Sequence, residues 1–377
     1  MAWSIYHYGL AIVMVVTGSI NTLSTKWADY LEAVGADGKL QKFDHPFFQS
    51  CSMFLGELLC LLAFKAIYSY YVYKQDTLAD VRELVRGNRN FSPLLFIPPA
   101  MCDMVATSLM YIGLNLTYPS SFQMLRGSVI IFVALLSVAF LQRTISPREW
   151  CGIVLLMLGL TIVGVSDFAS VSESDTKDVN SVITGDMLIV MAQIITAVQM
   201  IYEEKYVTKL DIPALQAVGW EGFFGLVILG ALQIPFYYIY VGKPFADNAR
   251  GTLEDFPDAF VQLSNNHLLI FSVLGTVLSI AFFNFAGISV TKEMSATTRM
   301  VLDTVRTLVI WLVSLALRWQ KFHSLQIFGF TMLIFGLCVY NNLMPSASWV
   351  LHRTWIRRPN QSNQEEEDII HQPADQP

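Results

Sequence analysis

Ionisable side chains inside apolar runs are the residues of this sequence that could do chemistry. A charge at the centre of a bilayer costs about 2.5–3.5 kcal/mol on insertion scales. Such a residue therefore faces a protein interior or a water-filled cavity, and it marks a candidate functional site. Eight ionisable residues lie well inside long apolar runs: Glu57, Lys65, Asp103, Arg126, Glu221, Arg299, Asp303 and Arg306.

Two of the arginines predict the charge of a bound ligand. A guanidinium stays charged in proteins, and its fork of donors matches a carboxylate or a phosphate. Arg126 and Arg306 therefore favour a small polar or anionic substrate.

Arg126 and Asp303 lie at converging depths in the predicted bilayer. With a rise of about 1.5 Å per residue, they lie roughly 11 Å and 12 Å from opposite faces of an apolar core about 30 Å thick. We expect the two side chains to meet, either directly or through the substrate. The alternative is local, because Arg299, Asp303 and Arg306 share one helical face and Asp303 can pair with its own neighbours.

Three carboxyls complete the predicted substrate site. Glu57 and Glu221 are central in their apolar runs and isolated in sequence, so they are candidates to line the site and to carry a coupling proton. Asp103 follows a Pro-Pro pair, where it is either a further site residue or a polar helix start buried in the protein. Lys65 lies near a helix end and is expected to extend its ammonium group to the membrane surface.

Composition and motifs argue against several classes of function. The net charge is −6, without the basic footprint that nucleic-acid binding needs. Walker A, HExxH and GxSxG sequences are absent and the six histidines are scattered, so we expect no enzyme active site and no cofactor. The five cysteines lie in apolar segments without the paired spacing of a disulfide framework or a metal site, and we expect neither.

The elements that must position these residues are membrane helices. The chain is 54% hydrophobic and 14% charged, whereas a soluble domain carries about 25% charged residues. A spanning helix needs about 20 apolar residues. The sequence therefore predicts an all-α polytopic membrane protein with ten transmembrane helices: 5–25, 47–73, 94–115, 119–141, 148–166, 184–206, 214–241, 267–290, 296–318 and 323–343.

Loop charges predict the orientation of these helices. With both termini in the cytosol, twelve lysines and arginines fall on the cytosolic side and eight on the other, as the positive-inside rule requires. The loop 242–266 carries an amphipathic stretch with Thr252 as its expected N-cap. That stretch is either a short interfacial helix or lid, or an ordinary loop helix.

Two segments look like copies of one module. Residues 121–159 and 298–336 align at a constant offset of 177. The offset pairs residues of the two copies as follows: Ser137 with Ser314, Gly152 with Gly329, Gly159 with Gly336 and Arg126 with Asp303.

The repeat predicts inverted halves that meet at a substrate site. Five helices in each half give the copies opposite orientations, because five is odd. A second alignment, at an offset of 164, places Glu57 opposite Glu221. The predicted organisation is two inverted five-helix repeats and a disordered cytosolic tail: 1–170, 184–345 and 346–377.

Two stretches carry a family resemblance. "PPAMCDMVATSLMYIGLNLTYPSSFQMLRGSVIIF" (98–132) and "FFNFAGISVTKEMSATTRMVLDTVRT" (282–307) resemble the drug/metabolite transporter superfamily. Within it they are similar to the nucleotide-sugar-transporter-like F branch of solute carrier family 35. The resemblance covers about residues 1–345 and implies ten helices as two inverted five-helix repeats. It says little about the substrate.

The polar tail contains a segment similar to a sorting signal. In "EEEDII", Glu365 stands four residues before Ile369 and Ile370, which resembles the acidic dileucine signal that cytosolic adaptor proteins bind. The alternative is a charged solubilising tail. Because the resemblance implies a lysosomal membrane, we expect the lysosome or endosome, with Golgi and mitochondrion as alternatives.

These patterns predict a secondary-active transporter of a small polar or anionic solute, nucleotide-sugar-like or a related metabolite. It would work by alternating access, with the substrate between the repeats. Two alternatives stay open: a non-transporting membrane scaffold of transporter fold, and an exporter of a cationic or neutral drug-like solute. Charges around one shared site favour transport, and charges locked in separate local pairs favour the scaffold.

Overall fold

The fold is almost entirely helical. The computed structural model describes residues 4–73, 87–117, 122, 125–169, 179–242, 248, 250–317 and 324–340. Eleven helices are defined within these ranges: α1 Ile5–Tyr30, α2 Pro46–Tyr73, α3 Ile97–Leu116, α4 Val129–Leu141, α5 Pro147–Ala169, α6 Val179–Lys209, α7 Ala214–Tyr238, α8 Phe256–Asn265, α9 His267–Glu293, α10 Ala296–Ala316 and α11 Ser324–Tyr340.

Six helical segments in the described part of the chain are long and apolar enough to cross a membrane: Ile5–Tyr30, Pro46–Tyr73, Pro93–Leu114, Asn180–Lys209, Ala214–Tyr238 and His267–Glu293. Each of the ten predicted spans overlaps one of the helices. The ten-span count beyond these six stays a prediction. The predicted tail, including Glu365, Ile369 and Ile370, lies outside the described residues.

Glycines bring α5 and α11 into close antiparallel contact. A Cβ added to Gly159 would lie 2.8 Å from the carbonyl oxygen of Gly329, and one added to Gly336 would lie 3.1 Å from that of Gly152. The two backbones therefore touch where larger side chains would separate them. The sequence offset of 177 converts one of these contacts into the other.

Three glycines of α7 likewise allow its backbone to approach α2 closely. They face successive turns of α2 in reverse order, so these two helices are also antiparallel: Gly219 faces Leu61, Gly222 faces Glu57 and Gly225 faces Phe54. Glu57 and Glu221 therefore lie at the crossing of the two helices. The close approach brings the carboxyls of the two helices near enough for the charge of Glu57 to act on Glu221.

A tight turn joins α9 to α10 and sets the start of α10. Ser295 caps α10, and its hydroxyl oxygen accepts a hydrogen bond of 3.0 Å from the backbone N–H of Thr298. The turn makes α9 and α10 neighbours, as the short connection in the sequence indicates. It also places Arg299 in the first turns of α10, where its side chain is buried.

The loop between α1 and α2 packs against the loop after α7. Strands β1 Glu32–Val34 and β2 Leu40–Lys42 form an antiparallel hairpin, which packs against α8. The expected N-cap of α8 was wrong. Thr252 pairs with Tyr240 in an isolated β-bridge, so the helix begins later, at Phe256, and Asp255 is its N-cap.

Candidate functional site

Four carboxyls from four helices surround one guanidinium in the protein interior. They are Glu57 of α2, Asp103 of α3, Glu203 of α6 and Glu221 of α7, and the guanidinium is that of Arg299 of α10. We term these five residues the acidic cluster. Asp103 is half-buried, and the other four residues are between 2% and 6% exposed.

Hydrogen bonds join three members of the acidic cluster. Arg299 Nη1 donates to Glu203 Oε2 at 2.9 Å. Gln199 Nε2, one turn before Glu203 on α6, donates to Glu203 Oε1 at 3.0 Å and to Glu221 Oε1 at 2.8 Å. Glu203 is therefore satisfied on both oxygens, and Gln199 holds it beside Glu221.

Glu57 is only partly satisfied. Asn284 Nδ2 of α9 donates to Glu57 Oε1 at 2.5 Å, whereas Glu57 Oε2 is buried without a hydrogen-bond partner. The charges of Asp103, Glu203 and Arg299 all act on this carboxyl. A buried oxygen that lacks a donor is uncommon in native proteins and calls for a functional or structural reason.

Small residues make room for the acidic cluster. A Cβ added to Gly287 of α9 would lie 2.7 Å from Nε of Arg299, so glycine at this position lets the guanidinium approach the α9 backbone closely. Gly222 plays the same part beside Glu57. The nitrogen Nε of Arg299 is itself buried without a hydrogen-bond acceptor.

A second set of charges has the opposite sign. Arg126, in the helical turn before α4, and Asp303 and Arg306 of α10 form what we term the arginine cluster. Arg306 Nη2 donates to Asp303 Oδ2 at 3.0 Å, and its guanidinium lies 4.9 Å from the ring centroid of Phe283. The charges of Arg306 and Asp303 both act on Arg126.

The structure pairs Asp303 with its own helix. Its ion-pair partner is Arg306, three residues along α10, and in the described chain no ion pair joins Arg126 to Asp303. The direct form of the predicted pair is therefore not the arrangement observed. The i, i+3 spacing on one helix brings Arg306 to Asp303 without any constraint from α4. Contact between Arg126 and Asp303 through a substrate stays a prediction.

The predicted site residues separate into two groups. Glu57, Glu221 and Asp103 are together in the acidic cluster, and Arg126, Asp303 and Arg306 are together in the arginine cluster. Helix α10 contributes to both groups, because Arg299 and Arg306 are seven residues apart on it. Lys65 is exposed on α2, with its ammonium nitrogen 5.7 Å from the ring centroid of Trp220.

Sequence reasoning missed Glu203, the residue that binds Arg299. It stands in "YEEKY", next to the expected end of a span at 206, where charges are ordinarily solvated. The helix continues to Lys209, and the side chain of Glu203 turns to the interior, where it is 2% exposed and pairs with Arg299. The uncharged partners Gln199 and Asn284 carried no signal, since amides are common in helices of every environment.

A third charged group holds the two loops together. His45 lies between carboxylates, with Nδ1 at 2.7 Å from Glu254 Oε1 and Nε2 at 3.5 Å from Asp258 Oδ2. Glu254 Oε2 also accepts from the backbone N–H groups of Phe47 and Phe48 at 3.0 and 3.2 Å. We term His45, Glu254 and Asp258 the loop clasp.

His45 has an altered affinity for a proton. Burial by itself lowers the pKa of His45. The hydrogen bond and charge of Glu254, with the charges of Asp258 and Asp44, outweigh burial and raise the pKa above its ordinary value of 6.5. The imidazolium form therefore strengthens the loop clasp, because it lies between two negative groups.

The two interior clusters have complementary chemistry. The acidic cluster has four carboxyls against one guanidinium, an excess that attracts a proton or a cation. The arginine cluster has two guanidiniums against one carboxylate, an excess that attracts an anion. Both clusters lie on helices that the sequence predicts to span the membrane, where a charge that faced lipid would be costly.

Comparisons with known proteins identify the family of the chain. A nucleotide-sugar transporter family model matches residues 5–215. "Solute carrier family 35 member F6" of Rattus norvegicus is 53% identical over 97% of this chain and 96% of its own length. The human protein of that name is 54% identical over 91% of each chain.

A solved structure has a similar fold. A crystal structure covers 90% of this chain and 97% of its own chain with a TM-score of 0.59, at 10% identity. At that identity the likeness concerns the fold alone. Together with the apolar helices, the relatives establish an integral membrane protein, and the chain belongs to the nucleotide-sugar transporter family, where it is similar to member F6 of solute carrier family 35.

Proposed function

We propose that this protein is a secondary-active transporter that moves a small anionic solute, such as a nucleotide sugar, by alternating access. The substrate site is the arginine cluster, at the contact between α4 and α10. The observation that carries the proposal is the positive excess of this cluster inside an apolar helical protein. Two interior arginines with one carboxylate favour a ligand that brings its own negative charge.

Helix contacts support two inverted halves. The predicted repeat relates α1 to α6, α2 to α7, α3 to α9, α4 to α10 and α5 to α11. A twofold exchange then converts the α1–α9 contact into α3–α6, and the α1–α10 contact into α4–α6, and all four contacts are present. The contacts α2–α7, α4–α10 and α5–α11 convert into themselves and are present as well.

Glycine contacts support the same symmetry at the level of residues. Gly159 meets Gly329 and Gly336 meets Gly152, and the two contacts are exchanged by the repeat. The site between α4 and α10 then lies where the halves 1–170 and 184–345 meet. A site on such an axis can open to either side as the halves rock against each other.

The arginine cluster has free capacity for a polar ligand. Arg306 is engaged by Asp303 and by the ring of Phe283. Asp303 Oδ1 is buried without a hydrogen-bond partner, so it can accept from a ligand hydroxyl. Arg126 and Arg306 can bind a phosphate or carboxylate of that ligand, in which case the substrate joins Arg126 to Asp303.

Uptake into proteoliposomes tests the proposal. The purified protein is reconstituted, the liposomes are loaded with unlabelled nucleotide sugars, and uptake of each labelled sugar is measured. Arg126→Ala is expected to reduce exchange at least tenfold, and Arg126→Lys to retain part of it. Arg250→Ala in the loop after α7 is the matched control and is expected to exchange like wild type. Wild-type exchange in Arg126→Ala would reject the arginine cluster as the substrate site.

One observation favours the alternative of a cationic solute. The acidic cluster has an excess of carboxyls, which attracts positive charge. The same liposomes, assayed for uptake of labelled lipophilic amines, separate the two candidates. Amine uptake that unlabelled amines inhibit and nucleotide sugars do not would favour the exporter of cationic compounds. Wild-type protein that is well folded and transports neither class would favour the scaffold.

The cellular setting of this function is also a proposal. We infer residence in the lysosomal or endosomal membrane, directed by adaptor binding to Glu365, Ile369 and Ile370 of the tail. The support is the spacing of the acidic and apolar residues in that segment. The tail would then be cytosolic, because adaptors act there.

A further inference from the structure

We propose that the acidic cluster is a proton-binding site that couples substrate movement to a pH gradient, and that Glu57 takes the proton. This inference rests on the proposed transport function and adds the coupling ion to it. The substrate and the proton then bind in different places, at the arginine cluster and at the acidic cluster.

The balance of charge in the acidic cluster calls for a positive partner. Four carboxyls from four helices share the single guanidinium of Arg299. Like charges held together in an environment of low dielectric repel strongly, and a proton relieves that repulsion. Asn284 and Gln199 donate hydrogen bonds to the cluster but bring no positive charge.

Glu57 is the carboxyl with an oxygen left over. Glu203 is fully engaged by Arg299 and Gln199. Glu57 is 5% exposed, and its Oε2 atom has no donor. A buried, unpartnered carboxylate oxygen is costly, and a proton on that oxygen removes the charge. The unpartnered atom is therefore where we place the transported proton.

Helices α7 and α9 pack against α2, and groups on five helices act on Glu57 through hydrogen bonds or charge. These groups are Asp103 of α3, Glu203 of α6, Glu221 of α7, Asn284 of α9 and Arg299 of α10. Cys60 lies one turn along α2. Only Arg299 among these is positive, so it cannot balance all the carboxyls when they are ionised.

The geometry favours a proton over a divalent metal ion. Within the ranges that the structure describes, no three His, Cys, Asp or Glu side chains are grouped to hold a metal. The carboxyl oxygens point instead to Arg299, Gln199 and Asn284. A proton needs one free oxygen, which Glu57 provides, whereas a metal ion needs several that converge.

The acidic cluster joins the two predicted halves, which is what coupling requires. Glu57 and Asp103 belong to the first half, and Glu203, Glu221 and Arg299 to the second. Gain of a proton weakens the attraction of Glu57 for Arg299, so it changes how the halves hold together. Helix α10 carries this change to Arg306, about 10 Å farther along its axis.

Charge movement without substrate tests the proposal directly. Proteoliposomes are adsorbed on a solid-supported membrane, and the transient current after a pH jump is recorded. We expect a saturable transient in wild type and its loss in Glu57→Gln and in Glu57→Gln/Glu221→Gln. The matched control is Glu293→Gln at the exposed end of α9, which is expected to keep the wild-type transient. A wild-type current no larger than that of empty liposomes would reject the site.

Infrared difference spectra between acid and neutral pH give a second measurement. They report the protonated carboxyl band of the wild-type protein. Glu57→Gln is expected to remove a component of that band, while Glu293→Gln retains it. If Glu57→Gln fails to fold, Asn284→Ala is used instead, and an infrared titration identical to wild type would contradict the proposal. If the Glu57→Gln variant keeps both the infrared carboxyl band and the transient current, Glu57 is not the residue that takes the proton.

The proton site and the transport function can fail separately. A pH-dependent current with no exchange of any nucleotide sugar or amine would keep the proton site and reject the proposed function. Exchange of a nucleotide sugar at a rate independent of the pH gradient, with no transient current, would keep the function and reject coupling through the acidic cluster.

Discussion

Asp303 interacts with two arginines, one through a direct ion pair and the other through charge at longer distance. Its carboxylate pairs with Arg306 on the same helix, while its charge also acts on Arg126 across the contact between α4 and α10. The local pair follows from helical spacing alone. The longer-range interaction depends on how the helices pack.

Double-mutant cycles on the arginine cluster separate these partners. We expect Asp303→Ala and Arg306→Ala to be coupled in their effect on the free energy of unfolding. Each substitution leaves the other charge without its partner, which costs about 3–5 kcal/mol in a fully buried pair. The carboxylate of Asp303 is only half-buried, so we expect a smaller coupling here. Asp303→Ala and Arg126→Ala are expected to be close to additive in the absence of substrate. Unfolding in detergent at matched pH gives both cycles.

The outcome would also test the predicted contact between Arg126 and Asp303. Strong coupling between Arg126 and Asp303 without substrate would mean that the two make direct contact in a state other than the one described here. Coupling that emerges only when a transported solute is present would support contact through the substrate. If exchanging the two charges partly restores the lost stability or transport, contact between Arg126 and Asp303 would also be supported.

At the scale of elements, the antiparallel contact of α5 and α11 depends on glycine. A methyl group at position 159 would lie 2.8 Å from a backbone carbonyl oxygen, which cannot move aside as a side chain can. Elements that touch through their backbones are sensitive to single methyl groups, because closely packed interiors do not deform freely.

Gly159→Ala is therefore expected to destabilise the protein by about 1–3 kcal/mol, as overpacking does. Gly230→Ala in α7 is the control, since a Cβ there meets nothing within 4 Å. That variant is expected to be neutral or up to about 1 kcal/mol more stable, because alanine favours helix. Thermal unfolding in one detergent compares them, and equal melting temperatures would contradict the close contact.

The loop clasp makes another element-scale prediction, which concerns pH. The pKa of His45 is raised in the folded state. Its stabilising contribution is therefore fully present below the unfolded value, about 6.5, and is lost as the pH rises through the higher folded value. We expect α8 and the β1–β2 hairpin to exchange amide hydrogens more slowly in acid than above the folded pKa of His45.

Hydrogen exchange of peptides from residues 256–265 measures this effect after correction for the intrinsic pH dependence. His45→Gln is expected to abolish the protection gained in acid. His267→Gln, at the exposed start of α9, is the matched control and is expected to keep it. Protection that is the same at both pH values in wild type would show that His45 does not set the stability of the loop clasp.

At the scale of the whole molecule, orientation and location belong together. If both termini are cytosolic, the loop clasp lies on the opposite face, since it is formed by the loops after α1 and α7. In a lysosome that face is acidic, which is the condition in which the loop clasp is most stable. The predicted lysosomal location and the pH dependence expected of the loop clasp are thus consistent with each other.

Changing Ile369 and Ile370 to alanine is expected to move the protein from lysosomes to the cell surface. The reason is that adaptor binding would lose its apolar anchor. Surface biotinylation and imaging of a tagged protein measure the shift, with Ile327→Ala in α11 as a control outside the tail. Lysosomal residence that is unchanged in the double variant would place the sorting signal elsewhere.

The orientation is tested separately. A C-terminal tag that is protected from protease in intact organelles would contradict a cytosolic C-terminus.

The sequence by itself determined the helices and which of their residues are out of place. Within a bilayer there is no water to pair with the backbone N–H and C=O groups, so long apolar runs form helices in which these groups bond to each other. The same logic marked Glu57, Asp103, Glu221, Arg126 and Arg306 as interior charges, since a polar group facing lipid is too costly. Short connections such as the one between α9 and α10 also followed from the sequence.

Only the tertiary structure decided which charges meet. Helical periodicity places residues on a face of their own helix, but the rotation and crossing of two helices determine what that face touches. Glu203 pairs with Arg299 because α6 packs against α10, and Asp303 pairs with Arg306 and not with Arg126. His45 met Glu254 across 209 residues of chain, in loops whose polar sequences carry no periodic signal. Contacts of this kind depend on packing between distant segments, which local sequence does not encode.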